Sequence, residues 1–290
     1  MTHDDPGAAM PDPARLTYRY LRVSVAVMGL LLFVGIGLDV ASGGERFGSI
    51  SGYFYSPVRS LFVGALVAIG PALIAIKGRP GWEDMLLDLA GMVIPVVALV
   101  PVPRELGQAV CGAGAERCVP PDLVPAVVNN VTALALMGVP VLVFAWWTGR
   151  RALGTSALAG LLTATGAYLV LVVWFWGWRA TFLVAAHDVA AIAFFLLTAA
   201  VAWINGRGVQ TRTTARVLTP MRYAQAYRVI AAVMVATLVA AVVGWILDSA
   251  GVWTLPFGWV FVVESILLAA FIVFWLLQTA ENWDQEASSL

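Results

Sequence analysis

The heptapeptide AAHDVAA, residues 185–191, places a histidine directly beside an aspartate in a stretch that is otherwise apolar. Imidazole and carboxyl groups are the usual carriers of acid–base chemistry in proteins. Adjacent residues on a helix point about 100° apart, so His187 and Asp188 each need a partner from another segment. A functional pocket and a purely structural hydrogen-bond network both explain such a pair, and the sequence leaves the two open.

The composition identifies the solvent around these groups. Hydrophobic residues make up 61% of the 290 positions, charged residues make up 12%, and the mean hydropathy is +0.87. A soluble chain of this length needs far more polar surface, and a helix crosses a bilayer with about 20 apolar residues. Continuous apolar runs argue against a transmembrane barrel, whose strands alternate. We therefore predict an all-α fold, a polytopic transmembrane bundle of about eight helices.

The eight apolar runs define the predicted organisation. They are residues 19–41, 56–77, 84–102, 123–147, 154–177, 182–204, 227–248 and 257–278. The third run contains Pro95 and ends in the sequence VPVP, which leaves open whether it forms a full helix. We expect residues 18–280 to form one membrane domain between a disordered polar tail, residues 1–17, and a short C-terminal tail, residues 281–290. The first run starts too late and is too long for a signal peptide.

Basic residues predict the orientation, because cytoplasmic loops of membrane proteins are enriched in lysine and arginine. With the N-terminus in the cytoplasm, twelve of the 17 basic residues fall inside and five fall outside. We predict a plasma-membrane protein with both termini cytoplasmic and membrane lipids as partners. No basic patch suits nucleic acid, and the sequence does not predict an oligomeric state. The inside set is Arg15, Arg19, Arg22, Lys77, Arg79, Arg150, Arg151, Arg207, Arg212, Arg216, Arg222 and Arg228, and the outside set is Arg46, Arg59, Arg104, Arg117 and Arg179.

The chain has two cysteines, Cys111 and Cys118, in the loop after the third run. This topology places the loop outside, where disulfides form and persist. We expect the two cysteines to be bonded to each other, with two free thiols as the alternative. A zinc site is not expected, because no second cysteine pair or nearby histidine completes four ligands.

The polar side chains inside the predicted spans collect in the outer half of the membrane. At about 1.5 Å per residue, His187 and Asp188 lie about 8 Å below the outer boundary and Glu264 lies about 10 Å below it. Asn129 and Asn130 fall at a similar depth in the fourth run. A charged group at the bilayer centre costs about 2.5–3.5 kcal/mol on insertion scales, so such groups pair or face a water-filled cavity.

We therefore expect an outer ligand-binding pocket lined by five residues. Glu264 is the expected partner of His187, and Arg59 or an asparagine is the expected partner of Asp188. Ser49 and Ser51 lie in the same outer zone, but serines are common in loops. The predicted set is Arg59, Asn129, His187, Asp188 and Glu264.

Several stretches resemble a group of uncharacterised bacterial multi-pass integral membrane proteins. They are residues 49–78, which begin SISGYFYSPVRSLF, residues 83–101, residues 187–197, which read HDVAAIAFFLL, and residues 263–283. The resemblance covers about half of the chain and implies a multi-pass membrane fold. It implies no activity.

A more distant resemblance, in architecture, is to the alkaline-ceramidase and adiponectin-receptor superfamily. Those proteins are seven-helix membrane hydrolases that hold zinc with several histidines, a serine and an aspartate. This chain has His187 as its one membrane histidine. A three-histidine zinc site is therefore impossible here, and we expect no metal and no cofactor.

Three functions remain. The first is a membrane protein whose outward-facing polar pocket binds a small molecule or a lipid headgroup. The second is a proton-coupled small-molecule transporter, in which Glu264 and Asp88 would lie on opposite sides of a path. The third is a non-metal, lipid-modifying enzyme with Glu264 or Asp188 as general base and His187 as acid. Neither an internal repeat nor a nucleophile motif supports the second or the third function.

Overall fold

The computed structural model describes residues 13–76, 78, 81–149, 155–208 and 218–283. Eight long helices fill most of these ranges, and each coincides with one predicted apolar run. They are α1 (Pro13–Ala41), α2 (Arg59–Ala75), α3 (Trp82–Leu99), α5 (Val124–Gly149), α6 (Thr155–Gly177), α7 (Arg179–Gly208), α8 (Pro220–Ser249) and α9 (Trp259–Glu281). The described chain also contains a 3₁₀ helix (Ser51–Tyr55), the strands β1 (Arg104–Glu105) and β2 (Arg117–Cys118), and a one-turn helix, α4 (Gln108–Cys111).

Six of these helices are long and apolar enough to cross a membrane, namely α1, α5, α6, α7, α8 and α9. Helix α2 is shorter, at 17 residues, and α3 carries Glu83, Asp84 and Asp88 in its first two turns. Large apolar side chains are exposed on the outer helices, as membrane contact requires; Leu136, Met137 and Phe144 are each more than 60% exposed. The prediction of an all-α, multi-pass membrane fold is confirmed in these respects.

The structure corrects two details of the predicted boundaries. Helix α1 begins at Pro13, so residues 13–17, which we expected in the disordered tail, are helical. Proline is well tolerated in a first helical turn because its missing N–H has no partner there in any case. Helix α3 continues through Pro95 and is a full helix. The rest of the predicted tail, residues 1–12, and the C-terminal residues 284–290 lie outside the described residues.

The helices pack as a bundle with two distinct ends. Helix α3 contacts α2 and α7, α7 contacts α8, and α1 contacts α9 and α2. We call the end that carries the Cys111–Cys118 loop the disulfide end. The start of α1 and the end of α9 meet at the opposite end, where Arg19 Nε donates to the Trp283 carbonyl oxygen at 2.7 Å. The first and last helices therefore bring the two described chain ends to one side of the bundle.

A close glycine contact fixes how α2 lies on α3. A Cβ atom on Gly91 would lie 2.6 Å from the carbonyl oxygen of Gly70, and one on Gly70 would lie 2.9 Å from that of Gly91. Small residues let membrane helices approach closely, and here the backbones themselves are in contact. This contact seats the start of α2 and the end of α3 beside each other at the disulfide end.

The 3₁₀ helix joins α1 to α2 at the disulfide end and is buried. The Gly52 amide donates to Ser49 Oγ at 2.9 Å, and the Ser56 amide donates to the Tyr53 carbonyl oxygen at 3.2 Å. A Cβ atom on Gly52 would lie 3.0 Å from Cβ of Phe47, so a larger residue would displace this turn. The side chains of Tyr53 and Phe54 are buried and anchor the segment in the core.

The loop after α3 is a small cross-linked hairpin. Cys111 and Cys118 form a disulfide with their Cα atoms 5.6 Å apart, as predicted, and β1 pairs antiparallel with β2. The Tyr55 hydroxyl donates to the Val102 carbonyl oxygen at 2.8 Å and so connects the 3₁₀ helix to this loop. Burial raises the pKa of Tyr55 to about 12, so the phenol remains a proton donor at neutral pH.

We predict that Gly91→Ala destabilises the bundle. The added methyl group meets the Gly70 backbone, and overpacking of this kind typically costs about 1–3 kcal/mol. Gly166→Ala on α6 is the matched control, because nothing lies within 4 Å of the added atom. Thermal melting in detergent should show a lower transition for Gly91→Ala and no loss for Gly166→Ala. Equal melting of both variants would contradict the close approach of α2 and α3.

Candidate functional site

A chain of hydrogen bonds at the disulfide end joins four segments that are far apart in sequence. Ser51 Oγ lies 2.7 Å from Glu264 Oε1 and 2.8 Å from His187 Nε2. The other ring nitrogen, His187 Nδ1, lies 2.7 Å from the carbonyl oxygen of Val100. We call Ser51, Val100, His187 and Glu264 the Ser51 cluster. It connects the 3₁₀ helix, the end of α3, the third turn of α7 and the second turn of α9.

Local backbone structure explains why these groups are available to each other. The carbonyl of Val100 follows the last turn of α3, and such carbonyls have no partner within their own helix. The 3₁₀ helix places the Ser51 amide toward Glu264, and Ser51 N–H donates to Glu264 Oε2 at 3.1 Å. The carboxyl group is therefore held at both oxygens by the same serine.

Most of the Ser51 cluster is buried, and Glu264 is half-buried. Ser51 is 6% exposed and His187 is 2% exposed. Burying polar groups without partners costs free energy, so a closed set of hydrogen bonds is the low-energy arrangement. This arrangement answers the question raised by residues 185–191 for His187. The histidine is accommodated because a serine and a backbone carbonyl satisfy both of its nitrogens.

His187 and Glu264 are brought together as expected, but through Ser51 rather than by direct contact. The prediction relied on the ionisable groups and treated Ser51 as an ordinary loop serine. A signal for it exists in the short segment SGYFYSP between the first two runs, which is too aromatic and too constrained by Gly52 and Pro57 for a solvated loop.

The expected ion pairs of Arg59 are wrong. Its guanidinium lies over the ring of Phe54, 4.2 Å from the centroid, and no carboxylate among the described residues forms an ion pair with it. For this residue at the start of α2, stacking on an aromatic face takes the place of a carboxylate partner.

Arg59 lines a groove of about 380 Å³ beside the Ser51 cluster, with walls from α2, α3 and α5. Ser60 and Asn130 contribute polar groups at its surface. Phe54 lies on the same 3₁₀ helix as Ser51, and Ala98 lies near Val100 at the end of α3, so the groove and the cluster are built on the same two segments. We call this cavity the Arg59 groove; its lining is Phe54, Arg59, Ser60, Val63, Gly64, Ala98, Leu99, Val127 and Asn130.

Two predicted residues lie outside both features. Asn129 is exposed and is absent from the lining of the Arg59 groove, where its neighbour Asn130 lies instead. Asp188 is also exposed, and no described residue donates a hydrogen bond to it. The helical step of about 100° turns Asp188 away from the buried face that His187 occupies. The structure thus separates the five predicted residues into a cluster, a groove and two surface positions.

A second polar cluster occupies the opposite end of the same helices. Asn205 Nδ2 on α7 donates to Glu83 Oε1 on α3 at 3.0 Å. The Tyr227 hydroxyl on α8 donates to Glu281 Oε2 on α9 at 2.6 Å. Helices α3, α7 and α9 therefore contribute polar groups at both ends, and the aromatic pair Phe194 and Phe271 packs between them, with ring centroids 5.3 Å apart.

The Ser51 cluster contains a serine and histidine at a spacing that nucleophilic catalysis uses. The remaining geometry does not suit that chemistry, because Ser51 Oγ and Ser51 N–H both bond to Glu264 and the serine is buried. Within the described residues, no group of three or more His, Cys, Asp or Glu side chains could hold a metal ion.

Comparisons of the chain with protein-family models, curated proteins and solved structures find no match.

We predict different effects for Ser51 and for Ser265, which follows Glu264 in sequence. Ser51→Ala removes the group between His187 and Glu264 and leaves buried polar atoms unpaired, at a cost of about 1–3 kcal/mol. Ser265→Ala is the matched control, because the buried Ser265 Oγ has no hydrogen-bond partner among the described residues. Thermal melting should show destabilisation for Ser51→Ala and an unchanged or higher transition for Ser265→Ala. Identical effects would contradict the bridging role of Ser51.

Proposed function

We propose that this is a plasma-membrane protein with eight crossing helices that binds the phosphate headgroup of an anionic lipid in the Arg59 groove. The observation that carries the proposal is the guanidinium of Arg59, which lies in the groove without an ion-pair partner among the described carboxylates. Arginine binds phosphate oxygens in a forked geometry, and a cation without a partner at this depth is costly.

The rest of the groove fits the two parts of such a lipid. Ser60 and Asn130 offer hydrogen-bonding groups beside Arg59, and both Arg59 and Ser60 lie in the first turn of α2, at the positive end of its helix dipole. Val63, Leu99 and Val127 continue the lining with apolar side chains. An anionic headgroup would contact the polar part, and an acyl chain would lie along the apolar part.

The proposed topology of eight crossings requires that α2 and α3 also cross the membrane. Six helices meet the length and apolarity of a span, and α2 and α3 pack against them and against each other. An even number of crossings agrees with the meeting of α1 and α9 at one end. The excess of basic residues assigns that end to the cytoplasm and the disulfide end to the outside, which also suits the cysteine pair.

We predict that an impermeant thiol reagent labels Gly251→Cys in intact cells and does not label Ser288→Cys. Gly251 lies between α8 and α9 at the disulfide end, and Ser288 follows α9 in sequence. The native cysteines are bonded to each other and do not compete. Labelling of both variants after permeabilisation is the control. The reverse pattern in intact cells would overturn the orientation and the outward-facing groove.

We predict that Arg59→Gln weakens retention of anionic lipid. The charge that holds the phosphate is lost, whereas the amide keeps some hydrogen bonding, so binding should fall by about tenfold or more, which corresponds to about 1.4 kcal/mol. Arg179→Gln is the matched control, because Arg179 lies at the same end over the ring of Phe175 and is outside the groove. Native mass spectrometry with phosphatidylglycerol and phosphatidylcholine measures retention.

The outcomes of this experiment distinguish a lipid site from a small-anion site and from the absence of binding at Arg59. Retention of phosphatidylglycerol, but not of phosphatidylcholine, by the wild type and Arg179→Gln supports the proposal. Displacement by inorganic phosphate alone would indicate a small-anion site instead of a lipid site. Equal retention by Arg59→Gln and Arg179→Gln would contradict binding at Arg59.

A proton-coupled transporter is the second candidate, and the polar groups at both ends of α3, α7 and α9 favour it. The aromatic side chains between the two polar clusters would have to move for a substrate to pass. Proton uptake by liposomes under an imposed gradient distinguishes this function, because a headgroup-binding protein without transport would give no flux above empty liposomes.

A further inference from the structure

We infer that the Ser51 cluster is a binding site for one proton, shared by His187 and Glu264 through the hydroxyl of Ser51. The inference concerns a different site from the Arg59 groove and does not depend on lipid binding. It rests on counting hydrogen-bond donors and acceptors at three short contacts.

The first contact determines one proton position. A backbone carbonyl can only accept, so His187 Nδ1 carries a hydrogen and donates to the Val100 oxygen. If His187 is neutral, Nε2 has a lone pair and must accept the Ser51 hydroxyl proton. The serine has one proton to give, so its contact with Glu264 then needs a proton on the carboxyl group.

A second arrangement satisfies the same distances. If His187 is an imidazolium, Nε2 donates to Ser51 Oγ, and the serine donates its own proton to an ionised Glu264. The two arrangements differ by a proton transfer along the chain and have the same net charge of zero. Each contains one proton more than a neutral histidine beside an ionised glutamate.

The state without that proton breaks the chain. With His187 neutral and Glu264 ionised, the single Ser51 proton can serve only one of two acceptors, and the other contact brings two lone pairs together. This state also leaves a net negative charge in a largely buried site. The geometry of the Ser51 cluster therefore favours the protonated form.

Other charged groups at the disulfide end do not supply the missing counter-charge, because their described contacts lie elsewhere. Arg59 lies over Phe54, Arg104 lies over Phe47 and Tyr55, and Arg179 lies over Phe175. Arg117 donates to the Pro103 carbonyl oxygen, and Asp248 accepts from the Leu255 amide. Asp39 lies against Gly44, and Arg46 and Asp188 are exposed. The described parts of α6 and of the outer half of α3 carry no charged residue.

The bound proton has a structural consequence. The proton completes the hydrogen bonds from Ser51 to His187 and to Glu264, which hold the 3₁₀ helix against α7 and α9. Release of the proton to water weakens both contacts. Because Phe54 of the same 3₁₀ helix lies under Arg59, release of the proton would also loosen one wall of the Arg59 groove.

The test compares the pH dependence of melting for the wild type and Glu264→Gln. In the unfolded chain, histidine and glutamate have ordinary pKa values of about 6.5 and about 4.3, so above about pH 6.5 neither holds the extra proton. The folded wild type does hold it, so its stability falls as the pH rises above about 6.5. The folding constant should fall about tenfold per pH unit until the proton is lost.

Glu264→Gln should fold and lack this slope. The introduced amide donates to Ser51 Oγ and accepts from Ser51 N–H, which reproduces the protonated carboxyl group without a titrating proton. The melting difference between wild type and Glu264→Gln should therefore grow in favour of the variant as the pH rises. Asp188→Asn is the matched control: it neutralises the adjacent, exposed carboxyl group, and its difference from the wild type should not change with pH.

A constant difference between wild type and Glu264→Gln across this pH range would overturn the proton site. If Glu264→Gln fails to fold, infrared spectra of the unmodified protein provide the second measurement. A protonated carboxyl group or an imidazolium at neutral pH supports the inference. A neutral imidazole together with fully ionised carboxylates contradicts it.

Discussion

The hydroxyl of Ser51, held between His187 and Glu264, is the interaction on which the disulfide end of this bundle depends. Ser51 and Glu264 are 213 positions apart in sequence, and the same hydroxyl reaches across to α7. Through His187 the chain continues to the end of α3. Three segments thus meet at the Ser51 hydroxyl and α3 joins them through His187, so these bonds help to hold the 3₁₀ helix in place. The 3₁₀ helix also shapes the Arg59 groove, because its residue Phe54 lines that groove.

This arrangement explains why ionisable groups persist in an apolar protein. A bilayer gives no water to satisfy them, so each must be bonded within the protein or open to a polar cavity. The groups of the Ser51 cluster are bonded within the protein, whereas Arg59 opens to a cavity. The same division separates their functions in our account. The cluster holds a proton and fixes local structure, whereas the groove presents a cation for a ligand.

Much of the fold could be predicted from the sequence, because the apolar runs are long and the bilayer imposes helices. All eight runs became helices, including the run with Pro95, and the cysteine pair is bonded. The 3₁₀ helix could not be predicted, because its burial depends on tertiary contacts rather than on periodicity. The contact of Gly70 with Gly91 was missed for the same reason: spacing along one helix does not reveal which face meets a neighbour.

The candidate site was predictable only in part. Depth along the helices correctly grouped His187 with Glu264, because both lie a few turns from the same end. Depth carries no information about direction around a helix axis, and so Arg59, Asn129 and Asp188 were grouped with them incorrectly. A bridging serine is invisible to reasoning that seeks oppositely charged partners. Hydrogen-bond capacity, rather than charge, selected the actual neighbours.

The most direct test of the account is the ¹⁵N magnetic resonance spectrum of His187. The chain has two histidines, so His3→Gln leaves His187 as the only labelled imidazole. The account predicts that Nδ1 carries a hydrogen-bonded proton in every state, because it faces the Val100 carbonyl oxygen. A neutral imidazole with its proton on Nε2 and a bare Nδ1 would contradict the Ser51 cluster and the proton site built on it.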